Sequence, residues 1–173
     1  MFTIDVRGLD KTLKNIGDMS DTLKKELGYE LQAWAKDTSR DAKLLVSLNS
    51  DSGTLQNSIH YEANGLTASV SSSAEYAAFV EFGTRKFATQ YVATLPPDWR
   101  TYAATFKGKK TSVQGGVMAR LIAWGKRKNM DDKQAYFTAL KILREGSKPH
   151  PFLYPSVNKN LPIFIKNVKA LFK

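Results

Sequence analysis

The sequence predicts an α+β fold: a small antiparallel β-sheet packed by a long N-terminal amphipathic helix and a C-terminal helix, with a helical insertion between them. Three patterns predict it. Leu23, Leu27, Leu31, Trp34, Thr38, Ala42 and Leu45 recur every three or four residues, a single stripe along one long helix. Ile59, Tyr61 and Ala63 alternate with polar residues, as do Leu66, Ala68 and Val70, around Asn64-Gly65, the pair a tight hairpin prefers. Leu161, Phe164, Ile165, Val168, Leu171 and Phe172 form a second helical stripe near the C-terminus.

Each element has local reasons. Phe2, Ile4 and Val6 alternate with Thr3, Asp5 and Arg7 as in a half-buried strand, and Gly8 ends it. Leu9, Leu13 and Ile16 have helical spacing up to the break at Gly17-Asp18. Ser20 or Asp21 can cap the long helix, which should run to Val46, because Asn49-Ser50-Asp51-Ser52-Gly53 is turn chemistry. Ala74 to Phe82 reads as a short helix stopped by Gly83.

The insertion, residues 85–149 of one domain spanning 1–173, begins with an aperiodic stretch, 85–115, expected as an irregular arm. Two helices should follow, Val117–Lys126 and Asp131–Glu145, with Tyr136, Phe137, Leu140 and Leu143 as the buried side of the second. Asp131-Asp132 suits a helix N-terminus and Gly146 a C-terminus. Two prolines should keep Lys148–Pro155 extended, with Pro162 in the first turn of the last helix.

The 173 residues are 42% apolar and 11% aromatic, enough for a hydrophobic core. No apolar run is long enough to span a membrane, and the N-terminus lacks the pattern of a secretory signal, so no membrane partner is expected. Cysteine is absent, which removes disulfides, thiol nucleophiles and thiolate ligands together and suits assembly in a cytoplasm. The net charge of +10 is uneven: residues 1–82 carry 8 Lys+Arg against 12 Asp+Glu, and residues 83–173 carry 18 against 4. The basic half favours a polyanion or an acidic neighbour.

Nothing predicts catalysis, a metal or a cofactor. His60 and His150 are the only histidines, and no G-x-S-x-G elbow marks a serine for either. Gly108-Lys109-Lys110-Thr111 fails as a phosphate loop because position 103 is Ala. The helix pair outlines a helix-turn-helix, yet its second helix would open on two aspartates where base edges must approach. Arg120, Lys126, Arg127 and Lys128 can still meet phosphates without reading sequence.

Three phrases carry a resemblance. They are Gly53, Leu55, Ser58 and Ile59; Tyr76, Ala77, Val80, Glu81, Phe82, Gly83 and Thr84; and Pro151, Phe152, Leu153 and Pro155 before the closing helix. In this order they resemble the tail-completion, or head–tail joining, proteins of long-tailed bacteriophages, in particular the larger minor tail proteins of lambda-like phages. The resemblance implies a non-enzymatic virion protein of the neck, assembled in the host cytoplasm. It implies a homo-oligomeric ring, a hexamer, around the DNA channel at the head–tail junction. Neighbours would be connector and tail tube or terminator proteins, with non-specific contact to packaged DNA. Candidate assembly residues are Tyr76, Phe79, Glu81, Phe82, Gly83, Thr84, Phe152 and Tyr154, and candidate DNA-channel residues are Arg120, Lys126, Arg127 and Lys128. Glu81, in an apolar phrase, should be held by a salt bridge or backbone hydrogen bonds. A stand-alone basic nucleic-acid-binding protein is the alternative. A small hydrolase would need a histidine brought to a serine and an acid.

Overall fold

The computed structural model describes residues 2–5 (backbone only), 20–47, 53–107 and 116–172. The expected helix at Leu9, Leu13 and Ile16, the turn at Asn49–Ser52 and the Gly108–Thr111 stretch lie outside the described residues. In chain order the elements are β1 (Phe2–Asp5), α1 (Asp21–Ser47), α2 (Thr54–Ser58), β2 (Ile59–Asn64), β3 (Thr67–Ser72), α3 (Ala77–Phe82), α4 (Arg85–Thr94), α5 (Pro97–Ala104), α6 (Val117–Arg127), α7 (Asp132–Glu145) and α8 (Leu153–Leu171). The fold is α+β, as expected. The chain divides into two compact units, residues 1–74 with 152–173, and residues 75–151.

In the first unit an antiparallel sheet of order β1-β3-β2 packs on α1. The α1 stripe is the predicted one: Leu27, Leu31, Trp34, Thr38 and Ala42 are buried, and Ala35, Ser39, Asp41 and Val46 widen it. Cross-strand pairs Tyr61↔Val70 and Ala63↔Ala68 put the expected residues on one face. The turn is displaced by one residue from Asn64-Gly65. Asn64 pairs with Thr67, and Gly65 and Leu66 form the loop. Gly65, at φ 57°, fills the first central position, the one that needs positive φ, and Leu66 takes an ordinary φ at the second.

The C-terminal helix α8 starts eight residues earlier than the stripe at Leu161 suggests. Pro155 falls in its first turn, where the missing N–H has no helical partner to lose. Pro162, expected in that first turn, stands inside the helix instead. It removes one bond of nineteen residues' worth of ladder and points outward, while Leu153, Ser156, Val157, Asn160 and Phe164 are buried on the other side.

Helices α1 and α8 run antiparallel. Trp34 and Phe164 pack as a tilted ring pair with centroids 6.3 Å apart. Glu30 accepts from Asn167 Nδ2 at 2.9 Å. Asp41, whose side chain is 7% exposed, lies 2.8 Å from Lys159 Nζ. It also accepts from Asn160 Nδ2 at 3.0 Å. Burial pushes the Asp41 carboxyl up, but hydrogen bonds from Lys159 and Asn160 and the charges of Lys159 and Arg40 outweigh it and hold the group below its ordinary value.

In the second unit α6 and α7 form a hairpin. A Cβ on Gly125 would stand 2.9 Å from that of Ala135, so the glycine sets how closely the helices approach. The expected acidic start of α7 is a capping box. Asp131 Oδ1 accepts from the Gln134 N–H at 2.7 Å, and Gln134 Oε1 accepts from the Asp131 N–H at 3.3 Å. Two expectations fail here. Residues 85–104 of the supposed irregular arm are the helices α4 and α5, the second opened by Pro97 in its first turn. The buried side of α7 is Ala135 and Ala139, whereas Tyr136, Phe137 and Leu140 are exposed.

Two stability predictions follow from the first unit. Replacing Asp41 by Ala leaves Asn160 Nδ2 with only the Ser156 carbonyl and removes the partner of the exposed Lys159, and should cost about 1 to 2 kcal/mol in urea unfolding. Because the folded carboxyl titrates below its unfolded value, the Asp41 contribution is whole above that unfolded value. It should fade as acid carries the pH through the folded one, and D41N should flatten that part of the profile. Thr38, fully buried, has a hydroxyl with no hydrogen-bond partner among the described residues. Thr38→Val should therefore raise the urea midpoint, by about 1 kcal/mol in stability; a loss would show that a water or an undescribed residue satisfies the hydroxyl.

Candidate assembly surface

The phrase around Gly53 is a helix-to-strand junction. Gly53, at φ 69°, starts the single turn of α2 and accepts from the Asn57 N–H at 2.9 Å. Leu55 is buried. Ser58 Oγ donates to the Leu55 carbonyl at 2.7 Å and lies 2.7 Å from Ser72 Oγ, so Ser72 donates to it and ties the turn to β3. Ile59 then enters the core as the first residue of β2.

The phrase ending in Gly83-Thr84 meets the segment just before Pro151. The Val80 carbonyl accepts from the His150 N–H at 2.7 Å. Thr84 N–H donates to the Ser147 carbonyl at 3.0 Å, and Ser147 N–H donates back to Thr84 Oγ1 at 2.7 Å. The two hydroxyls are 3.2 Å apart. Gly83 makes this clamp possible: its φ is 72°, and a Cβ there would lie 2.8 Å from Ser147 O and Pro149 N. The helices α4 to α7 thus leave and return through one neck of backbone. Lys86 Nζ, 2.8 Å from Glu145 Oε2, adds an ion pair between α4 and α7 and holds the Glu145 carboxyl below its ordinary value.

The expected assembly residues separate by exposure. Glu81, Phe82, Gly83 and Phe152 are buried, while Tyr76 is exposed and Phe79, Thr84 and Tyr154 are partly so. Phe82 is enclosed by α5 and the turn after it: Trp99, Tyr102 and Phe106 ring centroids lie 6.2–6.4 Å from its own. Core packing thus occupies Phe82. Glu81 is fully buried and engaged by other groups of the protein. Burial pushes the Tyr76 phenol up.

The four channel candidates sit on α6 and the turn beyond it, all exposed. Lys126 pairs with Asp132 at 2.7 Å. Unit boundaries sharpen the charge asymmetry. Residues 75–151 hold 14 Lys+Arg against 6 Asp+Glu, a balance of +8, and the first unit holds 12 against 10, a balance of +2.

One pairing escaped the sequence. His60 Nδ1–H donates to the Ser58 carbonyl at 3.0 Å, which leaves Nε2 to accept from the Ser71 hydroxyl at 2.8 Å. This is the distance of a nucleophile and its base. Yet a carbonyl stands where a triad has its acid, and Ser71 is 4% exposed, out of reach of a substrate carbonyl. His60 and Ser71 are opposite residues of the β2–β3 ladder, and the pair acts as a cross-strand bond. Hairpin register, counted outward from Gly65-Leu66, would have found it. Among the described residues no three His, Asp or Glu side chains group to hold a metal, and no helix is long and apolar enough to cross a membrane.

Residues 10–83 match the family model described as "Bacteriophage HK97-gp10, putative tail-component". Over those residues the chain is similar to a phage tail-component family. The match supports a structural tail protein and a place in the virion, and it ends at Gly83, where the clamp begins. No curated protein and no solved structure matches the chain.

The clamp predicts that Gly83→Ala lowers stability by about 2 kcal/mol or more, since both backbone geometry and space oppose it. Thr84→Val, which removes only the hydroxyl partner of Ser147, should cost about 1 kcal/mol. Hydrogen exchange at the Ser147 and His150 amides should accelerate in both.

Proposed function

We propose that the chain is a tail-completion or head–tail connector component that works as a ring of identical subunits around the DNA channel of the phage neck. The observation that carries this reading is the family match over residues 10–83, which includes most of the Tyr76–Thr84 phrase. The clamp supports it: the helices α4 to α7, on a basic stretch of chain, leave and return through one set of backbone bonds. A ring of one subunit needs two different patches per protomer. Of the expected residues, Tyr76, Phe79 and Thr84 of the second unit remain accessible for one patch, and Tyr154 of the first unit for another. Arg120, Lys126, Arg127 and Lys128, on the more basic unit, face DNA phosphates in this reading, and neighbouring connector and tube proteins cover the ends of the ring.

Imaging assembled particles with the chain tagged tests this directly. Density for a ring of its copies, six in the expected case, should stand at the portal–tube junction. A tag found elsewhere on the tail keeps the tail component and removes the neck role. Salt-sensitive DNA binding by an isolated protein that no particle contains would favour the stand-alone nucleic-acid-binding reading instead.

A further inference from the structure

Helix α7 is built with its small side inward. Ala135 and Ala139 are fully buried, Ala135 against Gly125 of α6. Its large apolar residues point out: Tyr136 is 47% exposed, Phe137 57% and Leu140 40%. At 100° per residue, Lys133, Tyr136, Phe137, Leu140, Lys141 and Arg144 fall on one arc of the helix, and every one of them is exposed. The Tyr136 and Phe137 rings meet edge to face with centroids 5.7 Å apart, a rigid apolar centre. The arc bears three cations and no acid of its own; Glu145, just beyond its edge, lies 4.0 Å from Arg144 and pairs more closely with Lys86.

We propose that this arc is a docking surface for an acidic, apolar-faced helix of a different protein. Charge decides among the occupants. In a two-fold contact between copies of the same arc, Lys133 of one copy would meet Lys141 and Arg144 of the other, and like charges at close range oppose it. A nucleic-acid duplex would satisfy the cations but would bury none of the Tyr136, Phe137 and Leu140 surface. A helix with leucines facing the aromatic centre and glutamates at its margins satisfies both. This inference stands apart from the ring reading, since it holds for any stoichiometry of the chain.

The test uses the full chain and two fluorescent amphipathic helical peptides, alike in their leucine face, one flanked by glutamates and one by lysines. Anisotropy should report binding of the glutamate peptide and at least tenfold weaker binding of the lysine peptide. Phe137→Ser with Leu140→Ser should weaken the first by about tenfold or more, with circular dichroism and melting temperature unchanged. Lys133→Glu with Lys141→Glu should reverse the preference, and this second variant keeps the test decisive should the serine variant unfold. Equal binding of both peptides, no binding, or indifference to the substitutions overturns the proposal. So does self-association of the chain that the serine variant abolishes, which would assign the arc to a second copy. Binding to phosphatidylglycerol vesicles, lost in that variant and without peptide binding, would assign it to a lipid surface.

Discussion

Backbone hydrogen bonds that join Val80 and Thr84 to His150 and Ser147 are the constraint on which the second unit depends. The Thr84–Ser147 pair brings together residues 63 positions apart, so everything between them is a closed excursion. Loop-closure entropy grows only logarithmically, about 0.6 kcal/mol for each doubling of length. A clamp of this kind therefore costs nearly the same whether the excursion is short or, as here, four helices long. The chain can carry a large basic unit between two fixed phrases because the anchor is local. Gly83 bears the geometric burden, with positive φ and no room for a side chain. Glu81 and Phe82, immediately before it, are buried, and that burial orients the strand of backbone entering the clamp. A phrase that reads as a surface motif is in good part the footing of this anchor.

What could be read from the sequence was what a period and a turn can encode. The α1 stripe is long, unbroken and unambiguous, so Leu27, Leu31, Trp34 and Ala42 were legible as core. Alternation around Gly65 fixed the faces of β2 and β3, though a glycine flanked by two plausible turn partners left the register one residue uncertain. Prolines misled in both directions. Pro155 and Pro162 suggested a late start for α8, because proline rules describe what a residue forbids locally and not what a buried face elsewhere on the same helix can outweigh. In residues 85–104 two helices of ten and eight residues lacked a legible stripe, since neither buries a whole face and only Trp99 and Tyr102 of the second reach Phe82. Distant pairings were illegible for a simpler reason. The Asp41–Asn160 bond and the Thr84–Ser147 clamp join residues 119 and 63 apart, and no local pattern records them.

Helix α7 shows the limit of periodicity most plainly. Its sequence has two stripes of helical spacing, one of alanines and one of aromatics, and hydrophobicity favours burying the second. Packing reverses that order. Close approach to α6 needs small residues, and Gly125 admits only a methyl opposite it. The bulky stripe is then excluded from the interface by distance, although it is the more apolar. A period identifies the helix; the partner's shape selects the face.

The same reversal bears on why the chain carries its charge where it does. Exposed aromatic surface invites indiscriminate association, and the cations beside it on α7 discourage contact between two copies of that same arc. Charge of one sign also narrows the set of productive partners to those with matching acid, a selection made during encounter rather than after burial. By contrast, the first unit is nearly balanced, and its principal buried charge, Asp41, is satisfied internally by Lys159 and Asn160. Its electrostatics serve the fold, holding α1 against α8. The second unit also closes ion pairs, Lys86 with Glu145 and Lys126 with Asp132, yet it keeps a balance of +8 that no acid of its own offsets.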